Sequence, residues 1–409
     1  MTYELMPLNT QCNIKCEYCY QEGLRENEED KPYSMERMRE ALLRQGQKFM
    51  VFGGEPLLVP IGDLEEIFKL GLEKYGSNGI QTNGSLITDA HIALFKRYSV
   101  SVGISLDGPG ELNDARRIGD LESTRRTTER SEANLLRCME EKVCRGVIVT
   151  LHKLNARPDR LPRLVEWIKF LCDKGMTSVR FHALEIDSAV AEMLALSEDD
   201  AVAAMLTLRE LCIEKDLIVH EFADIAALLR GQDKGASCIW NGCDPWTTPA
   251  VSALDGQGER KNCGRTNKDG KSWMKASSPG HMRQLILYNT PYEDGGCKGC
   301  RFFVMCKGNC PGHGIDGDWR SRPRDCRVWM RLFEETEATM LRLGQKPVSK
   351  WTNLAKLEEV MLKEWAAGRQ PIVEDGIAIL NGKKPAYSSG PGGHIDWHKD
   401  HNDASGANQ

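Results

Sequence analysis

Cys12, Cys16 and Cys19 place three thiols within eight residues, in the spacing C-x3-C-x2-C. Sulfurs this close can ligate one metal ion or cluster, and three ligands leave a coordination position vacant. A structural zinc site is closed by four ligands, whereas an open position suits a site that binds and activates a ligand. Three incidental cysteines, or a zinc knuckle with a distant fourth ligand, are the plain alternatives. A second group is larger: of the chain's 15 cysteines, eight fall between Cys238 and Cys326, namely Cys238, Cys243, Cys263, Cys297, Cys300, Cys306, Cys310 and Cys326. Clustered thiols point to metal or iron–sulfur ligation. The scattered Cys138, Cys144, Cys172 and Cys212 lie in helical or strand-like stretches and read as buried small apolar residues.

These residues need a frame. From the start to about residue 225, apolar runs at 2–8, 48–52, 79–82, 101–106, 146–151 and 178–184 alternate with amphipathic stretches at 34–45, 63–74, 89–98, 124–141 and 160–174. Strands alternating with helices imply βαβ units and a parallel sheet. Six repeats predict an α/β fold, a partial (β/α)6 TIM-like barrel over 1–225, with its site where the strands end. A helix at 198–215 and a possible strand at 217–221 follow. Residues 231–329 are rich in Gly, Pro and Cys, as in a small irregular domain held by metal centres. A helical extension over 330–383 is expected, with helices at 332–343 and 354–365, and a disordered tail over 384–409. That tail holds His394, His398 and His401, read as solvated residues.

Composition is that of a globular chain: 41% hydrophobic, 28% charged, mean hydropathy -0.44. A net charge of -5 and a pI near 6.1 give no nucleic-acid footprint. No apolar run approaches the roughly 18 residues of a membrane span. The start, Met-Thr-Tyr-Glu-Leu, lacks a signal core, so a cytoplasmic protein is expected.

Three turns sit at the predicted strand ends: Gly53-Gly54-Glu55-Pro56, Gln81-Thr82-Asn83-Gly84 and Ser105-Leu106-Asp107-Gly108-Pro109, the last followed by Arg117. Alone, each is ordinary turn chemistry. Together with the C-x3-C-x2-C motif they resemble the radical S-adenosylmethionine (SAM) enzymes. The resemblance implies that Cys12, Cys16 and Cys19 hold a [4Fe–4S] cluster whose open position SAM fills. It assigns SAM contacts to Tyr18, Gly53, Gly54, Glu55, Asn83, Ser105, Asp107, Arg117 and Thr150, with Glu55 and the glycine backbone at the amino group and Asp107 shaping its turn. His152, His182, Glu185 and Asp187 lie near the ends of the fifth and sixth strands, and the last three are provisional catalytic residues.

The later cysteines resemble the SPASM domain of a radical SAM subfamily. By that resemblance, Cys238, Cys243, Cys263 and Cys310 hold one auxiliary [4Fe–4S] cluster, and Cys297, Cys300, Cys306 and Cys326 the other, making three clusters in all. The resemblance covers about 330 residues. It implies a maturase of a ribosomally made precursor peptide, forming a thioether or C–C cross-link or rearranging the backbone. It also implies a flavodoxin- or ferredoxin-type electron donor. Because the motif starts at Cys12, a separate peptide-recognition protein or leader binding by the C-terminal extension is expected. The alternatives are an anaerobic sulfatase maturase, weakened because Gly264 follows Cys263 where those enzymes usually carry aspartate, a small-molecule dehydrogenase, and a purely structural zinc module.

Overall fold

A computed structural model describes residues 3–25, 32–246, 252–266 and 282–387. His394, His398 and His401 lie outside them. The six anticipated strands are present as β1 (Tyr3–Met6), β2 (Phe49–Val51), β3 (Asn78–Thr82), β4 (Val100–Ser105), β5 (Cys144–Leu151) and β6 (Ser178–Ala183). They pair in parallel in chain order, and the helices α1 (Met35–Gln45), α2 (Ile61–Tyr75), α3 (Asp89–Arg97), α4 (Leu121–Glu140) and α5 (Leu161–Asp173) connect them. This is the partial barrel that the alternation implied.

The sheet extends beyond it at both edges. The run at 217–221 forms only a short strand, β7 (Ile218–Val219), beside β6. Helix α6 (Glu198–Glu214) precedes it and α7 (His220–Arg230) follows at once, so the expected strand gives way to helix within two residues. At the other edge β8 (Ser252–Asp255) joins β1 in parallel, and β9 (Arg260–Asn262) pairs with β8 antiparallel. The cysteine-rich part was read as nearly devoid of regular structure, yet it donates two strands to the sheet.

Side chains alternate across each strand. Leu5, Val51, Ile80, Ile104, Val149 and Phe181 face the helices and are almost wholly buried. The opposite face carries Glu4, Gln81, Ser105, Thr150, Arg180 and His182, so the concave side of the sheet is polar. Such a face costs free energy unless its groups find partners, and it is where a ligand can supply them.

In the C-terminal half, α8 (Met282–Asn289) precedes the Cys297–Cys310 run. Helix α9 (Cys326–Arg342) begins earlier than the sequence indicated, so Cys326 is its first residue. After α10 (Leu354–Ala366) comes α11 (Val373–Leu380), which the sequence reading did not anticipate. The extension is packed on the body: Trp365 is 1% exposed and its ring lies 5.8 Å from that of Phe303. Cys138, Cys144 and Cys212 are buried as expected, and Cys172 is partly buried.

Candidate active site

The loop after β1 carries the first three cysteines, and the β2 turn holds it in place. Gly54 N donates to Asn9 O and Glu55 N to Gln11 O, both at 2.8 Å, extending the ladder past the strand ends. Gly53 has φ +128°, and a Cβ on Gly54 would collide with the Gln11 carbonyl, so neither position accepts a side chain without moving this loop. The Glu55 carboxylate is buried and already engaged. It accepts from Leu57 N (3.0 Å), Thr82 Oγ1 (2.7 Å) and Asn83 N (2.8 Å). Its role here is to tie the β2 turn to the end of β3.

Each thiol has a donor from a different part of the chain. Asn83 Nδ2 lies 3.9 Å from Cys12 Sγ, Arg116 Nη1 3.9 Å from Cys16 Sγ, and Arg25 Nη2 3.3 Å from Cys19 Sγ. Asn83 also donates to Asn13 Oδ1 at 2.8 Å. A two-stranded ribbon pairs Cys16 with Arg116 and Lys15 with Arg117. Burial pushes the Cys12 thiol up and that of Cys16 to about 12, so these protons are held against ionisation in the protein alone. A thiophilic metal centre displaces such protons and removes that cost, which is how the donor set fits an iron–sulfur cluster.

Asp107 does more than shape a turn. It is fully buried, and its carboxylate accepts from Tyr18 Oη, from Arg116 Nε at 3.1 Å and from Thr150 N at 2.9 Å, with His152 Nε2 at 3.3 Å. Burial pushes this carboxyl up, but Arg116 and His152 outweigh it and hold it well below the usual carboxylate range. The residue thus joins the cysteine loop, β4 and β5. Ser105 accepts from Gln81 Nε2 at 2.8 Å. Arg117 points to the outer side of the ribbon, where its Nε meets Glu17 Oε1 at 2.7 Å. Arg116, which the sequence reading passed over, is the arginine turned inward; strand alternation through the Arg-Arg pair is the signal that could have found it.

A second network begins at β6. Arg265 Nε lies 2.8 Å from Glu185 Oε1, its Nη2 3.1 Å from His182 Nδ1, and His313 Nε2 sits 3.5 Å from the same Glu185 oxygen. Burial lowers His182 well below its ordinary pKa, and Arg265 adds to this. Burial likewise raises the Tyr20 phenol, with Glu185 and Glu4 adding to the rise, so the network reaches back to the residue after Cys19. Asp187 lies on the wall of a cavity of about 910 Å³ between the ends of β5 and β6, α6 and the cysteine-rich half. Arg265, His313, Trp246 and Trp319 line it too. Sequence spacing gave no hint of Arg265 or His313, which come from a region more than 75 residues beyond Glu185.

Seven of the eight later cysteines group in two places. Cys297, Cys300, Cys306 and Cys326 line one small cavity, closed by Phe302, Phe303, Trp329 and Phe333. Cys238, Cys263 and Cys310 lie close enough to act on one another electrostatically, while Cys243 acts on Arg283 together with Cys310, Cys297 and Cys306. Among the described residues, no three of His, Cys, Asp or Glu converge as a site for a single metal ion.

Residues 6–177 match the radical SAM superfamily. This chain carries a radical SAM domain. Members of that superfamily bind SAM and a [4Fe–4S] cluster, and the domain spans β1 to the approach of β6. Over 129 residues the chain is 32% identical to a cysteine-type anaerobic sulfatase-maturating enzyme of Clostridium novyi (strain NT), covering 28% of this chain and 34% of that one. Over 126 residues it is 32% identical to a serine-type anaerobic sulfatase-maturating enzyme of Klebsiella aerogenes, covering 28% and 31%. The chain thus spans about a third of the length of these curated relatives. The fold likeness runs further. A structure of native anSMEcpe with bound AdoMet aligns with TM-score 0.63 at 19% identity, covering 84% of this chain and 99% of that one. Streptococcus suis SuiB bound to S-adenosylmethionine aligns with TM-score 0.54 at 14% identity, covering 80% and 77%. Over most of its length the chain therefore shares the fold of both proteins.

Proposed function

We propose that this chain is a radical SAM peptide maturase that acts on a ribosomally made precursor peptide. The observation that carries this is the cavity of about 910 Å³ at the strand ends, bounded on one side by the radical SAM domain and on the other by the cysteine-rich half. It is large enough for a side chain with its flanking backbone. The solved structures of the same fold include anSMEcpe with a bound Cp18Cys peptide.

When bound, SAM and the cluster supply one-electron chemistry: a 5′-deoxyadenosyl radical able to take hydrogen from an unactivated C–H bond. Cys12, Cys16 and Cys19 hold the cluster. The Gly53–Gly54 backbone, Asn83, Ser105 and Thr150 orient SAM, while Asp107 fixes Tyr18 and Arg116 around it; Arg116 takes the place that the resemblance gave to Arg117, which is turned outward to Glu17. Glu55 holds the turn that the glycines form. His182, Glu185 and Asp187 serve the peptide: the first two through Arg265, the last from the cavity wall. Cys238, Cys243, Cys263 and Cys310 would hold one auxiliary cluster and Cys297, Cys300, Cys306 and Cys326 the other, three clusters in all, and these would supply one-electron transfer. The product is a thioether, a C–C cross-link or a rearranged backbone. A flavodoxin- or ferredoxin-type donor and a separate recognition protein, or the packed extension over 330–383, complete the system. No helix among the described residues is long and apolar enough to cross a membrane, and the cytoplasm is the proposed location.

The second reading, oxidation of a sulfatase Ser or Cys, draws on the curated relatives. Anaerobic reconstitution with iron, sulfide, SAM and dithionite tests the first step by release of 5′-deoxyadenosine, and none released from iron-loaded protein would sink both readings. Mass spectrometry of co-expressed peptides then separates them, a cross-link mass supporting the first and an aldehyde the second.

A further inference from the structure

Arg283, on α8, is completely buried. Its guanidinium donates from Nε to Trp319 O (2.6 Å), from Nη1 to Asn309 O (2.9 Å), and from Nη2 to Gly308 O (2.6 Å) and Ser321 O (3.2 Å). All four acceptors are neutral carbonyls. A buried arginine is ordinarily offset by a carboxylate, and no ion pair to its guanidinium is found among the described residues. Burial draws this guanidinium down, and the thiols that oppose the shift are Cys243 and Cys310 from one set, Cys297 and Cys306 from the other.

Two of the four acceptors sit in the short turn between Cys306 and Cys310, where the chain leaves one set of cysteines and enters the other. Its three inner residues, Lys307, Gly308 and Asn309, have φ of +53°, +80° and +52°. Left-handed backbone at two non-glycine residues is costly and persists only when surroundings enforce it. A Cβ on Gly308 would collide with Leu287 and stand 3.1 Å from Arg283 Nη1, so the turn lies directly against the guanidinium. On its other flank Lys307 Nζ is buried against Trp240 O (2.9 Å) and Asp233 Oδ2 (3.3 Å). The lysine ammonium meets a carboxylate; among the described residues no ion pair to the Arg283 guanidinium is found, and the buried Asp244 carboxylate accepts from Arg283 N at 3.0 Å.

We propose that Arg283 is a positioning residue shared by the two auxiliary sites. It locks the Cys306–Cys310 turn through backbone carbonyls, and its charge is offset by the anionic, thiolate-ligated clusters instead of a carboxylate. The proposal rests on the reading of the eight cysteines as two cluster sites. A fixed cation beside a cluster favours the more negative, reduced form, so Arg283 raises the reduction potentials of both.

The test uses the full chain with Cys12, Cys16 and Cys19 replaced by alanine, so that about eight irons remain if both auxiliary sites load. Arg283→Gln and Arg283→Lys are compared with it by iron and sulfide content and by potentiometric titration followed by electron paramagnetic resonance. Arg283→Gln is expected to lose at least half of its iron, and the clusters that remain to become harder to reduce. Arg283→Lys keeps the charge but not the fork that reaches four carbonyls, so it is expected to lose iron as Arg283→Gln does while its remaining clusters keep near-wild-type potentials. Wild-type potentials in an iron-loaded Arg283→Gln chain would overturn the proposal. So would an Arg283→Lys chain whose clusters shift downward as far as those of Arg283→Gln, because that means the charge is not what matters. Absence of iron from the parent chain would instead overturn the two-cluster reading itself.

Discussion

Arg116 Nε lies 3.1 Å from the Asp107 carboxylate, with side-chain exposures of 10% and 0%. The pair joins the antiparallel ribbon that holds Cys16 to the end of β4, and the Tyr18 hydroxyl donates to the same carboxylate. A buried pair contributes little against an apolar substitute, but removing one partner leaves the other charge stranded. Asp107→Asn is therefore expected to cost about 3–5 kcal/mol. Urea unfolding measures this. SAM affinity should fall at least tenfold in parallel, because Arg116, Tyr18 and the β5 end lose their common anchor. Unchanged SAM affinity would remove Asp107 from the cofactor site.

Gly54→Ala places a methyl group against the Gln11 carbonyl of the cysteine loop. The expected outcome is selective: iron at Cys12, Cys16 and Cys19 is lost, while the auxiliary sites keep theirs. Iron analysis should show a loss of about four irons per chain. A uniform loss across all sites would mean that the substitution unfolds the chain and says nothing about the loop.

Three residues separate Cys306, which lines the small aromatic-walled cavity, from Cys310, which lies beside Cys238. Cys306→Ser and Cys310→Ser should each remove about four irons, from spectroscopically distinct clusters. Two variants with the same residual spectrum would contradict the division.

Glu185 orients Arg265 at 2.8 Å and stands beside His313. Glu185→Gln weakens that hold at the cavity wall and reaches the first cysteine loop only through its effect on Tyr20. Peptide-dependent turnover should fall on the order of tenfold or more. Release of 5′-deoxyadenosine without peptide should stay within about twofold, since the SAM contacts are intact. Equal losses in both assays would place Glu185 in SAM binding instead.

Burial raises the Glu221 carboxyl to about 7, with Arg180 at 3.7 Å lowering it only in part and Asp224 opposing. The folded state thus holds a proton that the unfolded chain releases near pH 4.5. Stability from this group is present below that pH and is lost as pH rises through about 7. Glu221→Gln should flatten this slope and stabilise the protein by at most ~3 kcal/mol above neutrality. Denaturant midpoints at pH 5 and pH 8 check it; a parallel pH slope in the variant would exclude Glu221 as the source.

The amino-acid sequence by itself determined the features whose physics is local. The C-x3-C-x2-C spacing, the two glycines that let the β2 turn meet the cysteine loop, and the alternation of apolar runs with amphipathic stretches are each written within a dozen residues or so. The six core strands and their order follow from them, because parallel strands joined by helices leave few topologies. What the tertiary structure decided depends on register between distant segments. The ribbon pairing of Lys15 with Arg117 and Cys16 with Arg116 turns Arg116, not Arg117, toward Asp107. Strand β8 extends the barrel sheet from within the cysteine-rich half, since a four-residue strand carries no sequence signal apart from the edge it pairs with. Arg265 and His313 meet Glu185 only after the two halves pack. The first three cysteines were legible as one site because their ligand geometry is local. The later eight were divided only by resemblance, and what the tertiary structure adds is the left-handed turn between Cys306 and Cys310 held against Arg283, a contact that no spacing encodes.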